Sequence, residues 1–146
     1  MSNRIIIKEV DPEAYILMAA FEEYLSKINL TPIQKELIKI RASQINGCSF
    51  CINLHTQSAR KLGETEQRIY ALTAWRETPF FSEHERAILA LTEEVTLIQH
   101  HVSDETYTKA ASLFDQQSLA QLIMAIVAIN AWNRIAISTN MMPALI

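Results

Sequence analysis

Glycine and proline are scarce in this chain, whose 146 residues include two glycines and four prolines. Folds made of many short strands need frequent tight turns, which these two residue types favour. A dinucleotide-binding unit likewise needs a glycine-rich phosphate loop after its first strand. The composition therefore disfavours both architectures and predicts long helices joined by short loops.

A single domain accounts for the chain. Its length is that of one domain, and the sequence contains no repeat, low-complexity tract or linker. Hydrophobic residues make up 49% of the sequence and charged residues 20%, which is typical of globular proteins and unlike disordered ones. We therefore predict one all-α domain over residues 1–146, containing about six helices.

Capping residues ahead of apolar patterns indicate where five of these helices begin: Asp11-Pro12, Thr31-Pro32, Ser82, Ser103 or Asp104, and Asp115 or Ser118. The first helix should cover Ala14 to Ile28. After the second, Gly47 interrupts the apolar pattern, and a further helix is expected from about Cys48 to Leu62. Only Ile5–Ile7 could form a short extended segment.

Charge and hydropathy bear on the partners of the chain. The net charge is −3 and basic residues are scattered rather than clustered, so we expect no nucleic-acid partner. The segment Gln116–Asn133 is uncharged, but polar residues at both ends leave an apolar stretch too short to span a bilayer, so we expect no membrane partner. A helix that is apolar nearly all round favours contact with another subunit, which predicts a homo-oligomer.

The two cysteines are the first indication of chemistry. The N-terminal residues lack the apolar core and cleavage site of a secretory signal, so a cytoplasmic location is expected. Cysteines in that reducing compartment are more often reactive or metal-binding than structural. If Cys48 opens a helix, then Cys51 and His55 fall within an arc of about 60° on the same face. Residues three apart lie about 5–6 Å from each other, which a disulfide can close.

Thiolate chemistry is favoured at this position. Thiols in the first helical turn lie at the positive end of the helix dipole, and the imidazole of His55 could take a thiol proton. Glu36 precedes Cys48 by twelve residues. If the two helices form an antiparallel hairpin bent at Asn46-Gly47, Glu36 could return near His55 and orient its ring.

Less specific interpretations stay open for these residues. Cys48, Cys51 and His55 could be three zinc ligands with Glu36 as a fourth, although structural zinc sites usually combine two separated ligand pairs. The cysteines could also be inert small residues of the core, and Glu36 a solvated charge. Four aromatic residues are expected to pack in the core or at a subunit interface: Trp75, Phe80, Phe81 and Trp132.

The pattern Glu-x11-Cys-x-x-Cys-x-x-x-His, formed by Glu36, Cys48, Cys51 and His55, resembles the signature of the alkyl hydroperoxidase D (AhpD-like) proteins of the carboxymuconolactone decarboxylase superfamily. The resemblance extends over most of the chain from about Thr31 to Arg134. It includes four flanking segments: Arg41–Gly47, Leu62–Glu64, Ala90–Thr96 and Asn130–Arg134.

This resemblance implies a thiol peroxidase or disulfide reductase with an AhpD-like fold. Carried over residue by residue, it implies that Cys51 attacks the hydroperoxide substrate and becomes a sulfenic acid, and that Cys48 resolves it and donates a proton. His55 would be the relay base and Glu36 the relay carboxylate. An external dithiol would reduce the disulfide, no cofactor or metal is implied, and the assembly would be a trimer or hexamer.

The sequence departs from the full-length enzyme in two respects. Phe50 stands where that enzyme has a further relay histidine between its cysteines, and this chain is shorter, with one motif-bearing core. Two other functions are weighed against the peroxidase. One is a lyase of the decarboxylase branch, which does not depend on a cysteine pair, so Cys48 and Cys51 argue against it. The other is a non-catalytic redox sensor whose disulfide switches oligomer contacts.

Overall fold

The computed structural model describes residues 4–145, and all regular structure among them is helical. It consists of eight α-helices: α1 (Ile7–Val10), α2 (Pro12–Ser26), α3 (Pro32–Asn46), α4 (Ser49–Lys61), α5 (Glu66–Ala71), α6 (Glu83–Thr96), α7 (Asp104–Leu113) and α8 (Gln116–Ser138). Two 3₁₀ segments, Leu72–Glu77 and Ile98–His100, follow α5 and α6. The all-α class is confirmed.

The predicted number of about six helices is too low. The two helices that sequence patterns missed are α1 and α5, which have four and six residues. Such short segments complete fewer than two turns, so no apolar periodicity can reveal them. Within the segment Ile5–Ile7, which could have been extended, Ile6 is extended and Ile7 begins α1.

Side-chain caps explain where the longer helices begin. Thr31 and Ser82 each form a complete capping box with the side chain of the third helical residue. Ser103 and Asp115, rather than the alternatives Asp104 and Ser118, cap α7 and α8. The predicted ends were less accurate, since α2 covers Pro12–Ser26 instead of Ala14–Ile28.

Helices α3 and α8 form the centre of the fold. Helix α3 contacts α4, α6 and α8, and α8 also contacts α2 and α6. By length and composition alone α8 could cross a membrane. In this fold, however, Leu122, Ile126 and Ile129 of α8 are buried in the main core cluster with Ile38 and Ile88. Packing in the core therefore accounts for the apolar residues on the buried face of α8.

Buried amides fix the end of α3 against α8. The Asn46 side chain donates to the amide oxygens of Asn130 and Asn133, at 2.9 Å each. Asn133, which is fully buried, donates in turn to the Ser43 hydroxyl at 3.0 Å. Buried amides are costly unless they are hydrogen-bonded, so these bonds favour one position of the turn that follows α3.

Candidate functional site

The turn between α3 and α4 positions the cysteine pair. Gly47 has a φ of 71°, in the left-handed region that favours glycine, and it ends α3. The next residue, Cys48, is extended, and its N–H donates to the Ser43 carbonyl at 3.0 Å. Cys48 is therefore the N-cap of α4, and the helix begins at Ser49, one residue after the start at about Cys48 that the sequence suggested.

Cys48 and Cys51 are joined by a disulfide. Their Cα atoms are 5.3 Å apart, within the ordinary range for such a bond. The N–H of Cys51 also donates to Cys48 Sγ at 3.3 Å. Only 1% of Cys48 and 4% of Cys51 is exposed to solvent. The pair thus lies at a helix N-terminus, where backbone N–H groups favour a negative charge on sulfur.

Glu36 and His55 meet across the α3–α4 hairpin. Glu36 Oε2 lies 2.9 Å from His55 Nδ1. Because a carboxylate only accepts hydrogen bonds, Nδ1 carries the proton in this contact and Nε2 is the nitrogen left for another partner. Glu36 is only 7% exposed, so the alternative of a solvated charge is wrong.

Lys39 provides the second contact of this carboxylate. Its Nζ lies 3.2 Å from Glu36 Oε1. Burial by itself disfavours the charged form of Glu36, but the hydrogen bond from His55 and the positive charge of Lys39 outweigh that effect. The pKa of Glu36 is therefore held below its ordinary value.

A cavity of about 340 Å³ opens beside the disulfide. Cys51 and His55 both line it, whereas Cys48 is not among its lining residues. The remaining wall is largely apolar, and includes Phe50 of α4 and Trp132 and Ile135 of α8. A small organic molecule could therefore reach Cys51 and the imidazole from the same space.

Sequence reasoning missed part of this wall. Trp132 packs against the main core cluster, as expected, and it also lines the cavity, donates from Nε1 to Glu22 Oε1 at 2.9 Å, and stacks edge-on against Tyr15 at 5.6 Å. The segment Asn130–Arg134 could have indicated Trp132, because it is part of the family resemblance. Tyr15 and Glu22 lie on α2, outside the resembling region, and no sequence signal pointed to them.

The structure also bears on metal binding. Within residues 4–145, no three His, Cys, Asp or Glu side chains are grouped as metal ligands. The two thiols that the zinc interpretation would need are joined to each other in the disulfide of this structure.

The fold and the sequence together define the class. Residues 12–94 match the profile of the carboxymuconolactone decarboxylase family. The chain therefore belongs to this family, in the superfamily that includes the AhpD-like proteins. This confirms the resemblance found in the sequence.

Particular relatives agree with this assignment. The uncharacterized protein YdfG of Bacillus subtilis is 46% identical over 139 residues, covering 94% of this chain and 95% of its own. A crystal structure from Agrobacterium tumefaciens, of a protein of unknown function provisionally described as the antioxidant defence protein AhpD, superposes with a TM-score of 0.95. It is 35% identical and covers 99% of this chain and 100% of its own.

A more distant neighbour supports the fold alone. An uncharacterized peroxidase-related protein from Silicibacter sp. TM1040 is 22% identical, with a TM-score of 0.81. The match covers 92% of this chain and 72% of the neighbour.

Proposed function

We propose that this protein is a thiol-dependent peroxidase that reduces organic hydroperoxides through Cys51 and Cys48. The observation that carries the proposal is the arrangement around Cys51, which lines an apolar cavity together with an imidazole held by a buried carboxylate. A nucleophile, a base and a group that orients the base are the parts that such a reaction needs. The antioxidant description of the Agrobacterium structure is in line with this proposal.

The reaction would begin with the reduced pair. The Cys51 thiolate attacks one peroxide oxygen, the O–O bond breaks, and the alkoxide leaves as an alcohol after taking a proton. Cys51 is then a sulfenic acid, which the Cys48 thiol attacks to form the disulfide and release water. An external dithiol returns two electrons and two protons to the pair and is itself oxidised to a disulfide.

The assignment of roles to the two cysteines rests on access. Cys51 borders the cavity and Cys48 does not, so a substrate in the cavity meets Cys51 first. Cys48 lies in bonding distance of Cys51, where a resolving cysteine must lie. His55, hydrogen-bonded to Glu36 through Nδ1, would use Nε2 to take a proton from a thiol and return it to the leaving alkoxide.

The cavity wall favours apolar substrates. Phe50, Leu54 and Trp132 surround the space that a substrate would occupy. An aromatic or alkyl hydroperoxide gains from burying its organic group there, and hydrogen peroxide does not. We therefore infer a preference for organic hydroperoxides such as cumene hydroperoxide over hydrogen peroxide.

The first test is the intact mass of the reduced, metal-free protein before and after one equivalent of cumene hydroperoxide. The proposal expects a loss of two hydrogen atoms, with Cys48 and Cys51 linked in the peptide map. Unchanged mass with both thiols free would reject the peroxidase and make a lyase the better candidate. Sustained peroxide consumption with a supplied dithiol then separates an enzyme from a sensor, which is oxidised once and stops.

We also infer self-association. Helix α8 is the central core helix, yet Met124, Val127 and Ile137 leave more than 40% of their surface in solvent. Exposed apolar side chains of this kind favour a subunit interface. Light scattering coupled to gel filtration should give a mass above 16.6 kDa, that of one chain; a monomer at micromolar concentration would contradict the inference.

A further inference from the structure

Lys39 lies between two carboxylates at the edge of the site. Its Nζ is 3.2 Å from Glu36 Oε1 and 4.0 Å from Glu22 Oε2. The lysine side chain is only 21% exposed, whereas Lys27, in a surface pair with Glu23, is 71% exposed. A partly buried ammonium between two carboxylates is held more firmly than an ordinary surface charge, because less water competes for it.

These contacts extend the relay across the cavity. From His55 the sequence of contacts runs through Glu36, Lys39 and Glu22 to the Trp132 indole, which donates to Glu22 at 2.9 Å. Both ends of this series line the cavity beside Cys51. Four helices contribute, since Glu22 is on α2, Glu36 and Lys39 are on α3, His55 is on α4 and Trp132 is on α8.

We propose that Lys39 is a positioning residue that acts through Glu36 on His55 and so sets the pH range over which Cys51 reacts. The inference rests on the proposed relay role of His55, and it assigns a function to a residue outside the Glu-Cys-Cys-His pattern. Lys39 touches neither cysteine nor the cavity among the contacts described. Its effect is therefore indirect.

The electrostatic argument starts from the groups that face Glu36. His55 faces it from α4 and Lys39 from its own helix, while Glu22 of α2 pairs with the Lys39 ammonium and Lys35 of α3 repels that ammonium. Burial pushes the Glu36 carboxyl towards its neutral form, and the imidazole and the ammonium push it towards the charged form, so its pKa is low. Without the ammonium, only the imidazole opposes burial.

Loss of the Lys39 ammonium should therefore raise the pKa of Glu36. Glu36 keeps its proton up to a higher pH, and a protonated carboxyl no longer holds His55 by a charge-assisted hydrogen bond. The imidazole then loses the carboxylate that orients it. The acid limb of Cys51 reactivity should therefore move to higher pH.

The test compares Lys39→Met with Lys39→Arg and with Lys35→Met. The arginine variant keeps the charge. Lys35 is a matched control because it lies on the same helix, one turn earlier, and its Nζ donates to the Ser26 carbonyl. It interacts electrostatically with Lys39 and Glu22 but its ammonium does not contact the Glu36 carboxylate, so its loss removes the same charge without removing the ammonium at Glu36. Each protein is reduced with dithiothreitol, which is then removed, and the rate of iodoacetamide alkylation of Cys51 is measured from pH 5 to 9.

We expect Lys39→Met to alkylate roughly tenfold more slowly on the acid limb, which equals a shift of about one pH unit. Lys39→Arg should restore most of the wild-type profile, and Lys35→Met should leave it unchanged. Superimposable profiles for Lys39→Met and wild type would overturn the inference. So would an equal shift in Lys35→Met, because that indicates a general charge effect. If Lys39→Met does not fold, Lys39→Gln is measured in its place.

This experiment also separates the inference from the proposed function. Alkylation needs no peroxide, so a shifted profile in a protein that consumes no hydroperoxide would support the role of Lys39 and reject the peroxidase. Normal hydroperoxide turnover with an unshifted Lys39→Met profile would reject the role of Lys39 alone. In an active enzyme, the substitution should lower kcat at pH 6 with little change in KM, since Lys39 does not line the cavity.

Discussion

Glu36 of α3 is buried and Glu93 of α6 is partly buried, and the two carboxylates have similar electrostatics but different partners. Burial disfavours the charge of each, hydrogen bonds outweigh that effect, and the pKa of each lies below its ordinary value. Glu93 accepts from Arg41 Nε at 2.8 Å and from Trp75 Nε1 at 2.9 Å, and it also pairs with Arg76. Guanidinium and indole groups keep their protons at every physiological pH.

Glu36 differs because one of its partners can exchange a proton. An imidazole can both donate and accept a proton, and that of His55 lines a cavity together with a cysteine. A low carboxyl pKa therefore does not identify a functional site by itself. What distinguishes Glu36 from Glu93 is a titratable partner that faces a cavity and a nucleophile.

The largest effect should come from the nucleophile itself. Cys51→Ser should abolish hydroperoxide consumption, because a serine hydroxyl is not ionised at pH 7 and its oxygen cannot cycle through a disulfide. Consumption is followed by loss of cumene hydroperoxide under a thiol reductant. Cys48→Ser serves as the control, since Cys51 should then be trapped by a sulfenic-acid probe. Full activity in Cys51→Ser, or no adduct in Cys48→Ser, would contradict the assigned roles.

The next effect concerns the base. His55→Ala should slow hydroperoxide reduction about 100-fold, the lower end for loss of a general base, and raise the pH at which the thiols react with iodoacetamide. The matched control is His100→Ala, which removes an exposed imidazole of the 3₁₀ segment Ile98–His100. An alkylation profile like that of wild type would remove His55 from the relay.

A substitution at Glu93 should lower the stability of the fold without changing the reactivity of the thiols. Glu93→Gln removes the carboxylate from Arg41, whose side chain is 15% exposed, and should lower the free energy of unfolding by about 2 kcal/mol. Urea denaturation measures this loss. Glu23→Gln in the exposed pair with Lys27 should cost less than about 0.5 kcal/mol. The thiol reactivity of folded Glu93→Gln should match wild type, and a changed pH profile would end the contrast with Glu36.

Elements of the fold could be predicted where the sequence signal is local, and could not where the structure depends on contacts between residues distant in the sequence. Thr31 and Ser82 predict the starts of their helices because a capping box involves residues only three positions apart. Gly47 predicts the end of α3 from a similarly local signal. The segment 66–77 contains a short helix and a 3₁₀ stretch instead of a long apolar period, so its structure depends on tertiary contacts. Local patterns therefore gave the fold class and not the number of helices.

The contacts of the site also separate into those that local sequence predicts and those that depend on packing between helices. Cys48, Cys51 and His55 share one helix, so their proximity follows from spacing alone. The contact between Glu36 and His55 needs the hairpin, which the Asn46-Gly47 turn suggested. By contrast, Glu22 reaches the site only because α2 packs against α8, and no local sequence signal encodes that contact. The same reason explains why Lys39 could not be distinguished from a surface lysine.

The smallest expected effect is on stability in acid, where the two carboxylates should behave alike. Each has a folded-state pKa below its ordinary value of 4.5, so its contribution to stability is present above pH 4.5 and is lost as the pH falls through the lower folded value. Urea denaturation from pH 7 to 3 should therefore show a shallower decline for Glu36→Gln and for Glu93→Gln than for wild type. Only Glu36→Gln should also change the pH profile of alkylation. If both variants or neither changed that profile, the two carboxylates would act alike on the thiols, and the distinction between them would be wrong.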